Sequence, residues 1–252
     1  MHDKTCTNKQ NRRQNMKKLF LLAIAAILCT IASTFAATKT LWLIGDATMA
    51  HYTDSTLAYG WGTAFEQYVN NRIGIVNMAG AGISATIFDE NSMIKKIEDL
   101  PKKSYILIQL GTNDLREDIP EQYSSSETFA LRLNKIISTA HKNKINIVLC
   151  TPLAQPYYKD GQLINRLGIY PDIIHRVATF NHVLLLDLET ASRNWLNGMT
   201  EEQAAAYYIT LDRRQLVNGE YQLNREGAEV VAKMAKDAIL NSESKLKKEI
   251  IK

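Results

Sequence analysis

Past its N-terminal segment the chain has little cysteine: of Cys6, Cys29 and Cys150, only the last lies beyond residue 36. A lone thiol excludes a disulfide framework and a cysteine metal site, and its run Ile145-Asn-Ile-Val-Leu-Cys150 predicts a buried strand residue. Long apolar runs are also missing, apart from Leu19 to Ile31. That run is short for a membrane span, and nothing later resembles one. No His/Asp/Glu cluster shows metal-ligand spacing, so no metal or cofactor is implied.

What is present begins with a leader. Lys17-Lys18, the apolar run and Ala32-Ser-Thr-Phe-Ala36 have the basic, apolar and cleavage regions of a secretory signal starting near Met16. The expected layout is a leader over 1–36, one domain over 37–240 and a charged tail over 241–252, with a secreted or periplasmic location. A retained anchor is the alternative; a lipid on Cys29 would follow the large Leu28 where a small residue is usual. The whole chain carries a formal +4, but residues 37–252 hold 24 basic and 25 acidic side chains, a formal −1. The net basicity belongs to the leader and gives no argument for nucleic acid or anionic membrane.

Residues 37–252 alternate apolar runs with helical patterns, as stacked β-α units do around a parallel sheet. Strands are expected at Leu41–Ile44, Ile73–Asn77, Tyr105–Leu110, Ile145–Cys150 and Val183–Asp187. Helices are expected at about 60–71, 91–99, 126–143, 170–180, 188–197 and 225–240. The fold class is therefore α/β, a three-layer α/β/α sandwich of about five parallel strands, with active groups gathered at the strand C-termini. Segment 151–170 reads as a long loop and 241–252 as a frayed, solvated extension.

Four stretches carry candidate chemistry. In Gly45-Asp46-Ala47-Thr48-Met49-Ala50, Asp46 can accept backbone N–H groups that brace a tight turn, and the N–H of Ala47 faces the ligand edge. Asn77-Met-Ala-Gly80-Ala-Gly82-Ile-Ser84 frees a backbone N–H at Gly82 to approach a ligand oxygen, as in an oxyanion hole; it lacks the spacing of a phosphate loop. Gln109-Leu-Gly111-Thr-Asn113-Asp114 offers a side-chain amide to the same oxygen, or else caps the next turn. The fourth runs from Asp212 through Gly219, Gln222 and Asn224 to Ala228, before the last helix.

In this order and spacing the four resemble the GDSL or SGNH hydrolases, most nearly the rhamnogalacturonan acetylesterase-like carbohydrate esterases. The first stretch resembles that group's Gly-Asp-Ser-Thr-Met-Ala; Asn77-x-Ala79-x-x-Gly82-x-Ser84, Gly111-x-Asn113-Asp114 and Leu223-Asn-x-x-Gly227-Ala228 are similar to its other blocks, as is Tyr170-Pro-Asp172 to another segment. The resemblance implies a flavodoxin-like sandwich and a secreted enzyme that removes O-acetyl groups from pectic or hemicellulosic sugars. Its ligand would be an acetylated plant-type polysaccharide or oligosaccharide.

The departures fall on the chemistry. The family's nucleophilic serine corresponds to Ala47, and its Asp-x-x-His pair to Gly219 and Gln222. A slipped register would pair Asp212 with Gln215, still without an imidazole, and the usual Arg of the second block is Ile83. The oxyanion side remains: Ala47 N–H, Gly82 N–H and Asn113, supported by Asp46 and Asp114. Loss of a triad costs on the order of 10⁶ in kcat, which takes an ordinary ~10 s⁻¹ to roughly 10⁻⁵ s⁻¹. The expectation is a non-catalytic glycan or acyl binder, with Tyr157 and Tyr158 as sugar-stacking residues. The alternative is an active esterase with a non-standard nucleophile. Thr48 and His51 are its nearest candidates, while His141, His175 and His182 are expected on helix surfaces or a strand start.

Overall fold

The computed structural model describes residues 39–53, 57–90, 92–209 and 221–251. The expected leader, and Asp212, Gln215 and Gly219, lie outside them. Five parallel strands form the sheet: β1 (Thr40–Ile44), β2 (Gly74–Asn77), β3 (Tyr105–Gln109), β4 (Asn146–Cys150) and the last, Leu184–Leu186, in the order β2-β1-β3-β4 and then that last strand. Each lies within the stretch read from the sequence or differs from it by one or two residues at an end. Alternation along the strands builds two cores. Leu41, Leu43, Tyr105, Leu107, Val148 and Cys150 enter one, and Ile44, Ile106, Ile108, Ile147 and Leu149 the other.

Helices close both faces. On the first lie α1 (Trp61–Phe65) and the C-terminal helix Arg225–Leu240, which brings Val231, Ala232, Ala235 and Ile239 against the sheet. On the second lie α2 (Ala85–Glu90), α3 (Met93–Glu98), α4 (Ser126–Lys142) and α5 (Tyr170–Asn181). Caps legible in the sequence set several starts: Ser125 accepts from the N–H of Thr128, and Asn224 from that of Gly227. The expected 91–99 helix is only the second of a pair. α2 is a short helix whose Ser84 hydroxyl accepts from the N–H of Ile87 at 3.2 Å, a length too small to show periodicity.

Two further expectations are corrected. Segment 151–170 carries a small hairpin, β5 (Tyr158–Lys159) and β6 (Gln162–Leu163), turned by Asp160 and Gly161 at φ +52° and +74°. The chain after residue 240 is not a frayed extension: Lys245–Glu249 forms a 3₁₀ turn, Leu246 is fully buried, and Ile250 bridges to Val69. Its charges hid one anchoring leucine, whose burial is worth about 1.5–3 kcal/mol. The last strand, Leu184–Leu186, is β7 and leads directly into α6 (Leu188–Asn197), followed by α7 (Glu201–Ala205) and then α8, the C-terminal helix Arg225–Leu240.

Candidate active-site edge

The carboxyl ends of β1, β2, β3 and β4 bring the first three stretches together. At the first turn the Asp46 carboxylate is buried and holds four donors. Its Oδ1 accepts from the Thr48 N–H (2.9 Å), the Thr48 hydroxyl (2.6 Å) and Gln109 Nε2 (3.0 Å), and its Oδ2 from the Thr112 hydroxyl (2.6 Å). Gln109 Nε2 also donates to Thr48 Oγ1 at 3.0 Å, and its Oε1 accepts from the Trp61 indole at 2.9 Å. The bracing role expected of Asp46 is thus present and extends to β3 and α1. Gln109 was given no role in the sequence reading; the signal was a lone amide closing the apolar run Tyr-Ile-Leu-Ile-Gln.

This network decides what Thr48 can do. Its hydroxyl proton rests on Asp46 and its oxygen accepts the Gln109 amide, so attack on a carbonyl would require breaking both bonds. Ala47, one residue earlier, is 1% exposed and carries no hydroxyl. The turn packs against Gly60, where a Cβ would stand 1.9 Å from the carbonyl oxygen of Ala50. Only a glycine permits that approach.

The second and third stretches are laced together. Asn77 Nδ2 donates to the carbonyl of Met49, and the N–H of Gly80 to that of Gly45. Asn113 Nδ2 donates to the Ile83 carbonyl at 3.0 Å, while Asn113 Oδ1 is buried with no hydrogen-bond partner among the described residues. Gly82, at φ +77°, lies beside the Gln122 amide, whose Oε1 is the other buried acceptor without a partner among the described residues. Gln122 had no motif to reveal it, since it reaches the edge from the loop before α4. Asn113, Gly82 and Ala47 are all buried, so a ligand reaching them must enter between the loops.

Asp114 is a brace. Its Oδ1 accepts from the Ala85 N–H (2.8 Å) and the Ser124 hydroxyl (3.0 Å), and its Oδ2 from the Gly111 N–H (3.0 Å). Burial pushes its carboxyl up to about 7, against the pull of those hydrogen bonds and of the Arg132 charge. A folded value above the ordinary 3.8 means the native state keeps a proton that the unfolded chain releases between about 4 and 7. The stabilisation is present below that window and is lost as pH rises through it, on the order of 4 kcal/mol in all. Urea unfolding of the parent and Asp114→Asn across this range checks it: the variant is expected to show the shallower fall, and equal slopes would contradict the assignment.

Of the fourth stretch, Gln222 is half-buried and its backbone carbonyl accepts from Ile209, while Leu223 forms a bridge with Tyr208. Tyr208 and Tyr221 meet Thr48, Thr112, Leu153 and Ala154 around a small pocket, which places this stretch beside the first and third. Tyr158 does not serve as a stacking residue: it is 8% exposed and its hydroxyl donates to the Leu196 carbonyl. Tyr157 is half-buried, with the Arg166 guanidinium 4.8 Å over its ring.

The histidines are scattered. His51 is exposed, with Nδ1 at 3.4 Å from the Thr63 hydroxyl. His175 Nε2 lies 3.2 Å from Asp187 Oδ2 at the end of β7. Burial works against the Asp187 charge, but hydrogen bonds from Thr190, the His175 charge and the Thr151 hydroxyl together hold its carboxyl below the ordinary value. No hydroxyl meets the other His175 nitrogen among the described residues, so this pair has nothing to activate. His141 is exposed on α4 and His182 ends α5.

Residues 43–228, which span all four stretches, match the GDSL-like lipase/acylhydrolase family. The chain belongs to that family. It is 27% identical over 214 residues to the probable rhamnogalacturonan acetylesterase YesY of Bacillus subtilis, covering 84% of this chain and 97% of that protein. It is 24% identical over 208 residues to the rhamnogalacturonan acetylesterase RhgT of the same organism, covering 79% and 88%. The fold is shared with the crystal structure of protein YXIM of Bacillus subtilis at a TM-score of 0.67 and 22% identity; the match covers 81% of this chain and 56% of that one.

Proposed function

We propose that this GDSL-family protein binds acetylated plant-type polysaccharide or oligosaccharide and does not hydrolyse it. The observation that carries the reading is the first turn: Ala47, which has no hydroxyl, stands where the resemblance expects a nucleophile, and the neighbouring hydroxyl of Thr48 is bound on both sides by Asp46 and Gln109. Asn113 supports the binding half of the reading: its Nδ2 is held by the Ile83 carbonyl, and its buried Oδ1, an acceptor without a partner among the described residues, can take a sugar hydroxyl at the edge where the three loops meet. The rhamnogalacturonan acetylesterases it resembles suggest the class of glycan. The leader pattern of residues 1–36 supports a location outside the cytoplasm in this reading, with cleavage after Ala36.

One observation favours a second reading, an active hydrolase. His51 Nδ1 and the Thr63 hydroxyl are a ring nitrogen and an alcohol 3.4 Å apart near the first turn. The contact is long and solvent-exposed, and Thr63 also donates to the Ala50 carbonyl.

Calorimetric titration of the exported protein with acetylated and saponified rhamnogalacturonan oligosaccharides tests the proposal. Acetylated chains are expected to bind at least about tenfold more tightly, a difference of roughly 1.4 kcal/mol, and Asn113→Ala to weaken the binding of both forms. Equal affinity for both forms, or no binding, would overturn it. Thermal melting of the variant separates a lost contact from a lost fold.

A further inference from the structure

Three charged turns converge at the edge of the sheet opposite the site just described. Lys39 precedes β1, Lys102 and Lys103 precede β3, and Lys144 precedes β4; the C-terminal 3₁₀ turn adds Lys245 and Lys248. Together with Tyr105, Ile145 and Asn146 they line a concave cleft of about 750 Å³. Strands of five residues separate it from the Ala47 edge by roughly 17 Å, so it is no extension of that cleft.

The charge is unbalanced by construction. The cleft's only carboxylate is Glu249, already met by Lys39 at 3.5 Å and Arg72 at 3.8 Å. Among the described residues, no carboxylate lies within 4 Å of Lys102, Lys103, Lys144, Lys245 or Lys248. Six lysines against one glutamate make +5 here, in a mature chain whose formal total is −1. Clustered like charges oppose folding and raise the local concentration of anions.

The lysines also stand on fixed backbone. Lys103 and Lys144 both take left-handed conformations, at φ +70° and +60°, and the N–H of Lys103 donates to the Lys144 carbonyl at 2.9 Å. Asn146 Nδ2 donates to the carbonyls of Lys103 and Ser104 at 3.2 Å, and the Tyr105 hydroxyl to that of Lys245 at 3.3 Å. A left-handed residue other than glycine or asparagine is costly, and here two such places hold cationic side chains.

We infer that this cleft is a second binding site, for a polysaccharide bearing repeated carboxylates, such as a polyuronate. The lining argues against the other polyanions. Apart from His141 its cationic side chains are all lysine, point charges suited to carboxylates spaced along a chain; no arginine fork of the kind that grips phosphate in pairs lines it, and Arg72 beside it is engaged by Glu249 and the Lys248 carbonyl. Tyr105 is 4% exposed and offers no ring for a base to stack on. The surface is concave, and none of the exposed large apolar side chains lines it, unlike a face that lies in a bilayer. The choice of a polysaccharide rests on the glycan reading above, whereas the excess of cations does not. Binding here would hold the protein on a carboxylated polymer whatever happens at the Ala47 edge.

The test uses the exported protein and polygalacturonate, with fully methyl-esterified polymer, anionic phospholipid vesicles and duplex DNA beside it. Polygalacturonate is expected to bind, and to weaken about tenfold or more between roughly 50 and 200 mM salt. The esterified polymer is expected not to bind. Lys103→Gln with Lys144→Gln is expected to lose about tenfold in affinity without a fall in Tm, and Asn113→Ala to leave this binding unchanged. Absence of polygalacturonate binding at low salt, equal binding of the ester, retained affinity in the double variant, or tighter binding to vesicles or DNA would each overturn the inference. Absence of polygalacturonate binding with the acetyl preference intact, or the reverse, shows which of the two readings has failed.

Discussion

Ala47→Ser, Gly219→Asp and Gln222→His introduced together are expected to raise aryl-acetate turnover by at least about 10³-fold over the parent chain, with each single change giving less than about tenfold. The asymmetry follows from how a triad works. A serine without a base is a weak nucleophile, and an imidazole without a hydroxyl has nothing to deprotonate, so the members act as a unit. What makes a gain reachable is the retained frame. Position 47 sits on a turn braced by Asp46, Gln109 and Thr112, beside the Asn113 loop. The full value of a triad, on the order of 10⁶, is not expected, because positioning errors of about 1 Å alone cost roughly 10². Stopped-assay kinetics on the five proteins, parent, three single variants and the triple, each checked by thermal melting, decide it. A folded but silent triple variant would contradict the assignment of these three positions.

Asp46→Ala is expected to be the most damaging single change at the edge, at about 3–5 kcal/mol. Removing the carboxylate strips acceptors from the Thr48 N–H, the Thr48 and Thr112 hydroxyls and the Gln109 amide, all buried. Hydroxyls can rotate toward other acceptors, and the Gln109 amide keeps only its bond to Thr48 Oγ1, but the backbone N–H of Thr48 has no way to turn. Each orphaned donor costs about 1–3 kcal/mol. For a domain of this size the fall in Tm is roughly 6–20 °C. Thr112→Val, which removes one donor along with its need for a partner, is expected to cost only about 1 kcal/mol. Calorimetric melting of both variants checks the ranking, and an Asp46→Ala protein within about 1 kcal/mol of the parent would contradict the network.

The central strands β3 and β4 are legible because residues buried on both faces read as apolar runs, and α4, α5, α6 and α8 because they are long enough to show a period. Elements below two turns left no such trace: α2 has six residues and the β5–β6 hairpin two per strand. Tyr158 shows a different blindness, for an aromatic in a polar loop reads equally well as a ligand platform or as an anchor, and its hydroxyl reaches Leu196, 38 positions away. Composition misled in one respect. The formal −1 of residues 37–252 gives no argument for an anionic partner, yet the turns before β1, β3 and β4 place four lysines on one edge, together with two from the C-terminal turn. A net charge does not report its distribution, and only the sheet topology brings residues as distant as 39 and 248 together.

Acetate release by the unmodified mature protein from acetylated rhamnogalacturonan tests most directly whether the reaction has been lost. At saturating polymer the expected turnover is no more than about 10⁻⁵ s⁻¹, indistinguishable from buffer over hours. Release at an ordinary enzymatic rate of about 10 s⁻¹, co-purifying with the protein and abolished by Thr63→Ala, would contradict the non-catalytic reading and establish a hydrolase built on His51 and Thr63.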